Sequence, residues 1–258
     1  MIYNCMDDHK NKLKILITND DGIYSEGLRI LAETALKFGE VTVISPSVQC
    51  SGMSQKVTTS VPMSLRKVSD FPIKSIPAYT LDGTPVDCVK VGILGILHDK
   101  PDILLSGINF GYNAGFDCAN SGTVGAVCEA MTLGVPGISF SNGGVFNGVN
   151  ADYSVVKRYL EEVISELLSA EIEDSAFWNV NFPGCPLSEC KGILRGRNLC
   201  QIHPYKGKLV EATLEDGTQT YMLKCRLIEK NEAPEGSDIH ALLNNFVSIG
   251  KLYNSMMI

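Results

Sequence analysis

Between Leu13 and Ile44 the chain passes through an apolar run, an amphipathic helical pattern and a second apolar run. That span is the size of one βαβ crossover, and it restricts the fold more than any other stretch. Leu13-Lys14-Ile15-Leu16-Ile17-Thr18 has the near-continuous hydrophobicity of a strand buried on both faces of a parallel sheet. Asn19-Asp20-Asp21-Gly22 ends it. Leu28, Leu31, Ala32 and Ala35 then recur at helical spacing, with Gly39 as the expected helix cap, and Val41-Thr42-Val43-Ile44 forms the second strand.

The alternation continues. Residues 47–84 are rich in Ser, Pro and Thr and predict loops and short strands. Val86, Val89, Ile93 and Ile96 predict a helix, and Asp102-Ile103-Leu104-Leu105-Ser106 a strand. A glycine-studded polar loop over 107–122 leads to a helix over 123–133 capped by Gly134, then a strand over 137–141. A helix over 153–168 precedes a strand over 177–182. Such repetition predicts an α/β fold with a Rossmann-like, mostly parallel sheet and helices on both faces. After Pro183 the pattern changes, and the segments 209–214 and 219–225 around Glu215-Asp216-Gly217 read as a hairpin. The expected organisation is an N-terminal extension over 1–12, a core over 13–183 and a smaller β-rich part over 184–258 that serves oligomerisation.

Composition narrows the partners. A net charge of −7 argues against broad binding to nucleic-acid polymers or anionic membranes. No apolar run approaches a membrane span, and the polar N-terminus lacks a signal-peptide core. The nine cysteines are odd in number and scattered, so the chain is expected in the cytoplasm with reduced thiols.

Ligands of open α/β sheets gather beyond the carboxyl ends of the strands. Those ends hold Asn19, Asp20, Asp21 and Gly22, the segment from Ser45 to Gly52, the run Ser106-Gly107-Ile108-Asn109, and Ser141-Asn142. This is hard oxygen chemistry, suited to Mg²⁺ or Mn²⁺. Asp20 and Asp21 repel each other unless a cation or hydrogen bonds offset their charge. An Asp-Asp-Gly turn is the plainer reading, and their place at a strand end favours metal. Ser121-Gly122-Thr123 opens a helix, where Ser121 is both an ordinary N-cap and part of an anion site. Metal beside such a cradle points to phosphoryl-ester hydrolysis.

Rival sites fail on their spacing. The first strand is not followed by Gly-x-Gly-x-x-Gly, and Walker A and nucleophile-elbow patterns are absent. Cys185, Cys190 and Cys200 lack zinc-knuckle spacing. His203 reads as an ordinary surface or hydrogen-bonding residue rather than a ligand, and Trp178 as core.

Ile17-Thr18-Asn19-Asp20-Asp21-Gly22 with Gly27 resembles the opening of the SurE stationary-phase survival protein family of 5′/3′-nucleotidases. Ser51-Gly52, Gly83-Thr84-Pro85-Val86-Asp87-Cys88 and Ser106-Gly107-Ile108-Asn109 follow in the family's order. So do Gly111, Asn113, Gly115, Ser121-Gly122-Thr123-Val124, Asn179-Val180-Asn181-Phe182-Pro183 and Ser237-Asp238. The similarity spans roughly Lys14 to Leu252. The resemblance implies hydrolysis of nucleoside 5′- and 3′-monophosphates, with one divalent metal ion per subunit held by Asp20, Asp21, Ser51 and Asn109. Ser51 as a ligand rests on the resemblance alone. Asn113 and Ser121-Gly122-Thr123 match positions lining the phosphate site, with Asn19 beside them. A homodimer or homotetramer built through the C-terminal part is also implied. The loop Ser47-Val48-Gln49-Cys50 departs from the family in lacking arginines, and the C-terminus lacks its usual Thr-Pro.

The expected reaction is attack by a metal-activated water, with Asp20 as nucleophile or base the other route. The alternatives are an exopolyphosphatase and a catalytically weak nucleotide-binding stress protein.

Overall fold

The structure is a computed structural model that describes residues 12–143 and 151–254. Apart from Lys12, the expected N-terminal extension lies outside the described residues. In chain order the elements are β1 (Leu13–Thr18), α1 (Glu26–Ala35), β2 (Gly39–Pro46), β3 (Leu65–Lys67), β4 (Ala78–Leu81) and α2 (Pro85–Val91). Then come β5 (Ile103–Phe110), α3 (Gly122–Thr132), β6 (Gly137–Asn142), α4 (Ser154–Ser169) and β7 (Ala176–Phe182). The chain ends with β8 (Ile193–Leu194), β9 (Tyr205–Thr213), β10 (Gln219–Leu227), α5 (Asp238–Leu243) and β11 (Val247–Tyr253).

A nine-stranded sheet has the order β3-β4-β2-β1-β5-β6-β7-β11-β8. The strands from β4 to β7 in that order are parallel, while β3 and β11 run antiparallel to their neighbours β4 and β7. Strand polarity thus matches a mostly parallel, two-faced sheet. Ile15 and Ile17 of β1 face the layer holding Leu28 and Leu31 of α1 and Leu160 and Val163 of α4. Leu16 faces the other way, with Val89 of α2 and Val127 of α3. Period-two alternation in one apolar run therefore feeds both cores.

The first crossover leads from β1 to β2 on one side, and β5 later pairs with β1 on the other. The carboxyl ends of β1 and β5 therefore form a topological switch point, where a crevice opens. Strand β5 runs on to Phe110, with a register shift against β6 between Ser106 and Asn109. The run 107–109, expected as loop, is thus strand, and the irregularity sets the direction of Asn109.

Gly39 does not cap α1. Leu36 ends that helix, and Gly39 starts β2, where a Cβ would lie 2.0 Å from the Leu13 carbonyl oxygen. Chain crowding between adjacent strands, rather than a left-handed turn, demands glycine there. Helix α2 carries a capping box in which Thr84 accepts from the Asp87 amide and Asp87 accepts from the Thr84 amide. Asp87 also accepts from the Thr58 amide at 2.9 Å and the Thr58 hydroxyl at 2.6 Å, so one buried carboxylate fastens the long 47–84 segment to the helix. The Gly-Thr-Pro-Val-Asp motif is explained here by structure, not by catalysis.

The segment after Pro183 divides its contribution. Strands β8 and β11 rejoin the main sheet, while β9 and β10 form a separate two-stranded antiparallel sheet. The hairpin is longer at both strands than the alternation predicts and leaves Leu209, Tyr221, Met222 and Leu223 exposed. Among the described residues no helix is long and apolar enough to cross a membrane. All the described cysteines are free thiols, as expected, and most are buried.

Asp87→Ala removes the cap and the loop anchor together. It should cost about 2–3 kcal/mol, seen as a lower urea midpoint with an unchanged slope.

Candidate functional site

At the end of β1, Asp20 is only 4% exposed. Three elements meet on it. Its Oδ1 accepts from the Thr123 hydroxyl of α3 at 2.8 Å, and its carbonyl oxygen accepts from the Cys50 amide at 2.7 Å. Gly122 lets α3 come close: a Cβ there would stand 3.2 Å from the Asp20 Cβ. Burial, helped by the charge of Asp21, pushes the Asp20 carboxyl up to about 7, against the opposing Thr123 hydrogen bond. Burial also raises Asp21, against hydrogen bonds from the Phe110 amide at 2.9 Å and Gln49 at 3.4 Å.

A cavity of about 510 Å³ opens over these acids. Asp20, Ser51 and Asn109 all line it, and Asp21 reaches its edge through Phe110. Asn109 donates Nδ2 to the Gly111 carbonyl at 3.0 Å, which leaves Oδ1 as its acceptor. The four predicted metal ligands are therefore brought to one place from two loops and a strand end. Two carboxylates, a hydroxyl and an amide oxygen are a hard donor set that fits Mg²⁺ or Mn²⁺. Among the described residues no cluster of three His, Cys, Asp or Glu side chains forms a softer alternative. No lysine or arginine lines the cavity among the described residues.

Of the expected phosphate-site residues, Asn113 and Ser121 line the cavity. Ser121 caps α3, accepting from the Val124 amide at 3.1 Å, so its N-cap reading is met, and the same residue borders the cavity. Asn113 is locked from below. Its carbonyl oxygen accepts from Asn179 and Asn181, its amide donates to Asn181, and its Nδ2 donates to Ser141.

Three expected residues take supporting positions instead. Asn19 is fully buried, with Oδ1 accepting from Ser45 at 2.6 Å and Nδ2 spent on the Gly22 carbonyl and Ser25. It holds the turn that presents Asp20 and Asp21. Thr123 is also fully buried, and its hydroxyl is committed to Asp20. Gly122 acts by having no side chain.

The far wall carries no motif in the sequence. Tyr112, Asp117, His203, Tyr205, Leu223 and Cys225 line the same cavity. Tyr112 and Tyr205 stack with ring centroids 6.4 Å apart, and the Tyr205 hydroxyl accepts from the Tyr112 amide at 3.1 Å. His203, read from sequence as a surface or hydrogen-bonding residue, is exposed and holds Asp117 Oδ1 through Nδ1 at 2.5 Å. The sequence signal for this wall is the glycine-studded loop around Gly111 and Gly115 on one side.

The chain matches the family described as survival protein SurE over residues 15–203. It is 34% identical to the 5′-nucleotidase SurE of Alkaliphilus metalliredigens over 242 residues, covering 93% of this chain and 92% of that protein. It is 36% identical to the 5′-nucleotidase SurE of Cytophaga hutchinsonii over 241 residues, covering 93% and 90%. The crystal structure of the SurE protein from Aquifex aeolicus superimposes with a TM-score of 0.77 at 34% identity, covering 93% of this chain and 92% of that one.

Because the folded Asp20 carboxyl lies near 7 and an unfolded one near 3.8, the metal-free protein should lose stability as pH rises between those values. In the presence of a chelator, Asp20→Asn should melt higher than the parent above pH 7. The two should converge near pH 4.

Proposed function

Because the chain belongs to the SurE family, we propose that it hydrolyses nucleoside 5′- and 3′-monophosphates with the help of one divalent cation, by attack of water on phosphorus. The observation that carries this reading is the pairing of the desolvated Asp20–Asp21 site with the α3 N-terminus in one cavity. The names of the relatives support the phosphomonoesterase and 5′-nucleotidase part of it.

Asp20, Asp21, Ser51 and Asn109 would hold the cation, Mg²⁺ or Mn²⁺. Bound there, such an ion supplies charge for the phosphoryl oxygens and lowers the pKa of a coordinated water. Everything else falls to the chain's own groups. Ser121 and the amides opening α3 receive the phosphoryl oxygens, where the helix dipole favours negative charge. Asn113 presents its side chain beside them from a backbone fixed by Asn179 and Asn181. Thr123 holds the rotamer of Asp20, and Asn19 holds the turn.

The wall of Phe110, Tyr112, Tyr205 and Leu223 supports a nucleoside over a polyphosphate. Stacked rings and an aliphatic side chain suit a planar, uncharged base, and they give a chain of anionic groups nothing to bind. The β9–β10 hairpin, which exposes Leu209, Tyr221 and Met222 over its two faces, is the element through which copies of the chain would associate as a homodimer or homotetramer.

Phosphate release from 5′- and 3′-nucleoside monophosphates should require Mg²⁺ or Mn²⁺ and vanish with a chelator or with Asp20→Asn. Faster release from a short polyphosphate would overturn the substrate choice, and nucleotide binding without release would leave a binding protein. Thr123→Val keeps the ligands but frees the Asp20 rotamer. It should lower metal affinity or activity about ten- to a hundredfold, read as a raised metal concentration for half-maximal rate.

A further inference from the structure

The His203–Asp117 pair is not a chance surface contact, because the fold bolts its two segments together. Gly115 donates its amide to Oδ2 of buried Asp238 at 2.9 Å, and Cys200 donates to Oδ1 of the same carboxylate at 2.9 Å. Burial raises the Asp238 carboxyl, opposed by these backbone amides. The Phe116 amide donates to the Ile202 carbonyl at 3.0 Å, and a Cβ on Gly115 would lie 2.2 Å from that same oxygen. Residues 115–117 and 200–203 are thus set in one register, though far apart in sequence.

On this base, His203 Nδ1 meets Asp117 Oδ1 at 2.5 Å, and the Phe116 ring stands edge-on to the imidazole at 5.4 Å between centroids. A carboxylate on Nδ1 fixes the ring's orientation and tautomer and leaves Nε2 for a ligand. The imidazole is accessible, with 55% of its side chain exposed. Both members line the cavity that Asp20, Ser51 and Asn109 line, and Asp117 sits in a short 3₁₀ helix (Gly115–Asn120) that runs straight into Ser121. The pair therefore shares one cavity with the acids, next in the chain to the α3 cap, and lies beside Tyr112 and Tyr205 in its lining.

Resting on the nucleotidase reading, we infer that His203, oriented by Asp117, is a further catalytic residue: the proton donor to the nucleoside oxygen as it leaves phosphorus. The water oxygen bonds to phosphorus and the bond from phosphorus to the ribose oxygen breaks, its electron pair staying on that oxygen. Nε2–H passes its proton there, giving the nucleoside hydroxyl. The proton lost by the attacking water goes to solvent, and solvent reprotonates the neutral imidazole. A ribose alkoxide is a poor leaving group, so this proton is worth far more to a nucleotide than to an aryl ester whose phenolate leaves unaided.

The test compares a nucleoside 5′-monophosphate with p-nitrophenyl phosphate, using the full-length protein with saturating Mn²⁺. His203→Gln should lower kcat on the nucleotide about a hundredfold or more and leave p-nitrophenyl phosphate turnover nearly unchanged. Asp117→Asn should give the same split in smaller measure. Retained turnover of the aryl ester also reports that each variant is folded. Equal losses on both substrates, no loss on either, or a loss confined to KM of the nucleotide would overturn the assignment. If the parent protein released phosphate from neither substrate, the phosphatase reading would fail, and the role of His203 with it.

Discussion

Much of this molecule is organised around a carboxylate kept away from water. Asp20 ends the central strand, takes a hydrogen bond from α3 through Thr123, and is approached by the 47–52 loop through Cys50. Burying a charge is costly unless something offsets it. Here the neighbouring acid makes matters worse, and burial holds the group near 7. The fold thus concentrates an unfavourable field at one point and surrounds it with hard oxygen donors, a condition that a divalent cation relieves. A chain with a net charge of −7 becomes suited to phosphate in this one place.

A second layer of polar residues makes the first one rigid. Under the cavity floor, Asn19 and Ser45 join β1 to β2, while Asn113, Ser141, Asn179 and Asn181 join the loop after β5 to β6 and β7. Ser139 extends this by donating to Asn179 at 2.8 Å. Such groups lie among buried residues, where an unmet donor or acceptor is expensive, so each has effectively one arrangement. Precision at the crest comes from this layer, and the asparagines that look like candidate ligands in the sequence are mostly its members.

What the sequence revealed, and what it hid, follows from the range of the interactions. Buried parallel strands are apolar runs, so β1, β2 and β5 announce themselves, and with them the place of Asp20 and Asp21. Strand β5 is underestimated because its last residues, Gly107 to Phe110, carry polar and glycine character while bending toward the site. The return of β11 to pair with β7 is invisible locally, since its partner lies some seventy residues earlier and the two meet only after the hairpin has been inserted. Thr123 and Asn19 carry the right chemistry for phosphate, and only their hydrogen-bond partners show that they serve the acids instead. His203 gave no signal because Asp117 reaches it across 86 positions.

The hairpin closes the cavity with one face of a ladder in which Gly207 opposes Cys225 and Leu209 opposes Leu223. Tyr205, Gly207, Leu223 and Cys225, all on that face, line the cavity. The alternate positions are Lys206, Lys208, Lys224 and Arg226, which the pleat turns the other way. Side-chain faces exchange on a shift of one residue. Two chemically different walls are therefore written into the same two strands, one whose cavity-lining residues carry no charge and one carrying four cations, and the register of the ladder selects between them. In this sense a single inserted or deleted residue in the hairpin would do what many substitutions could not, and turn a row of cations toward the cavity in place of rings and aliphatic side chains.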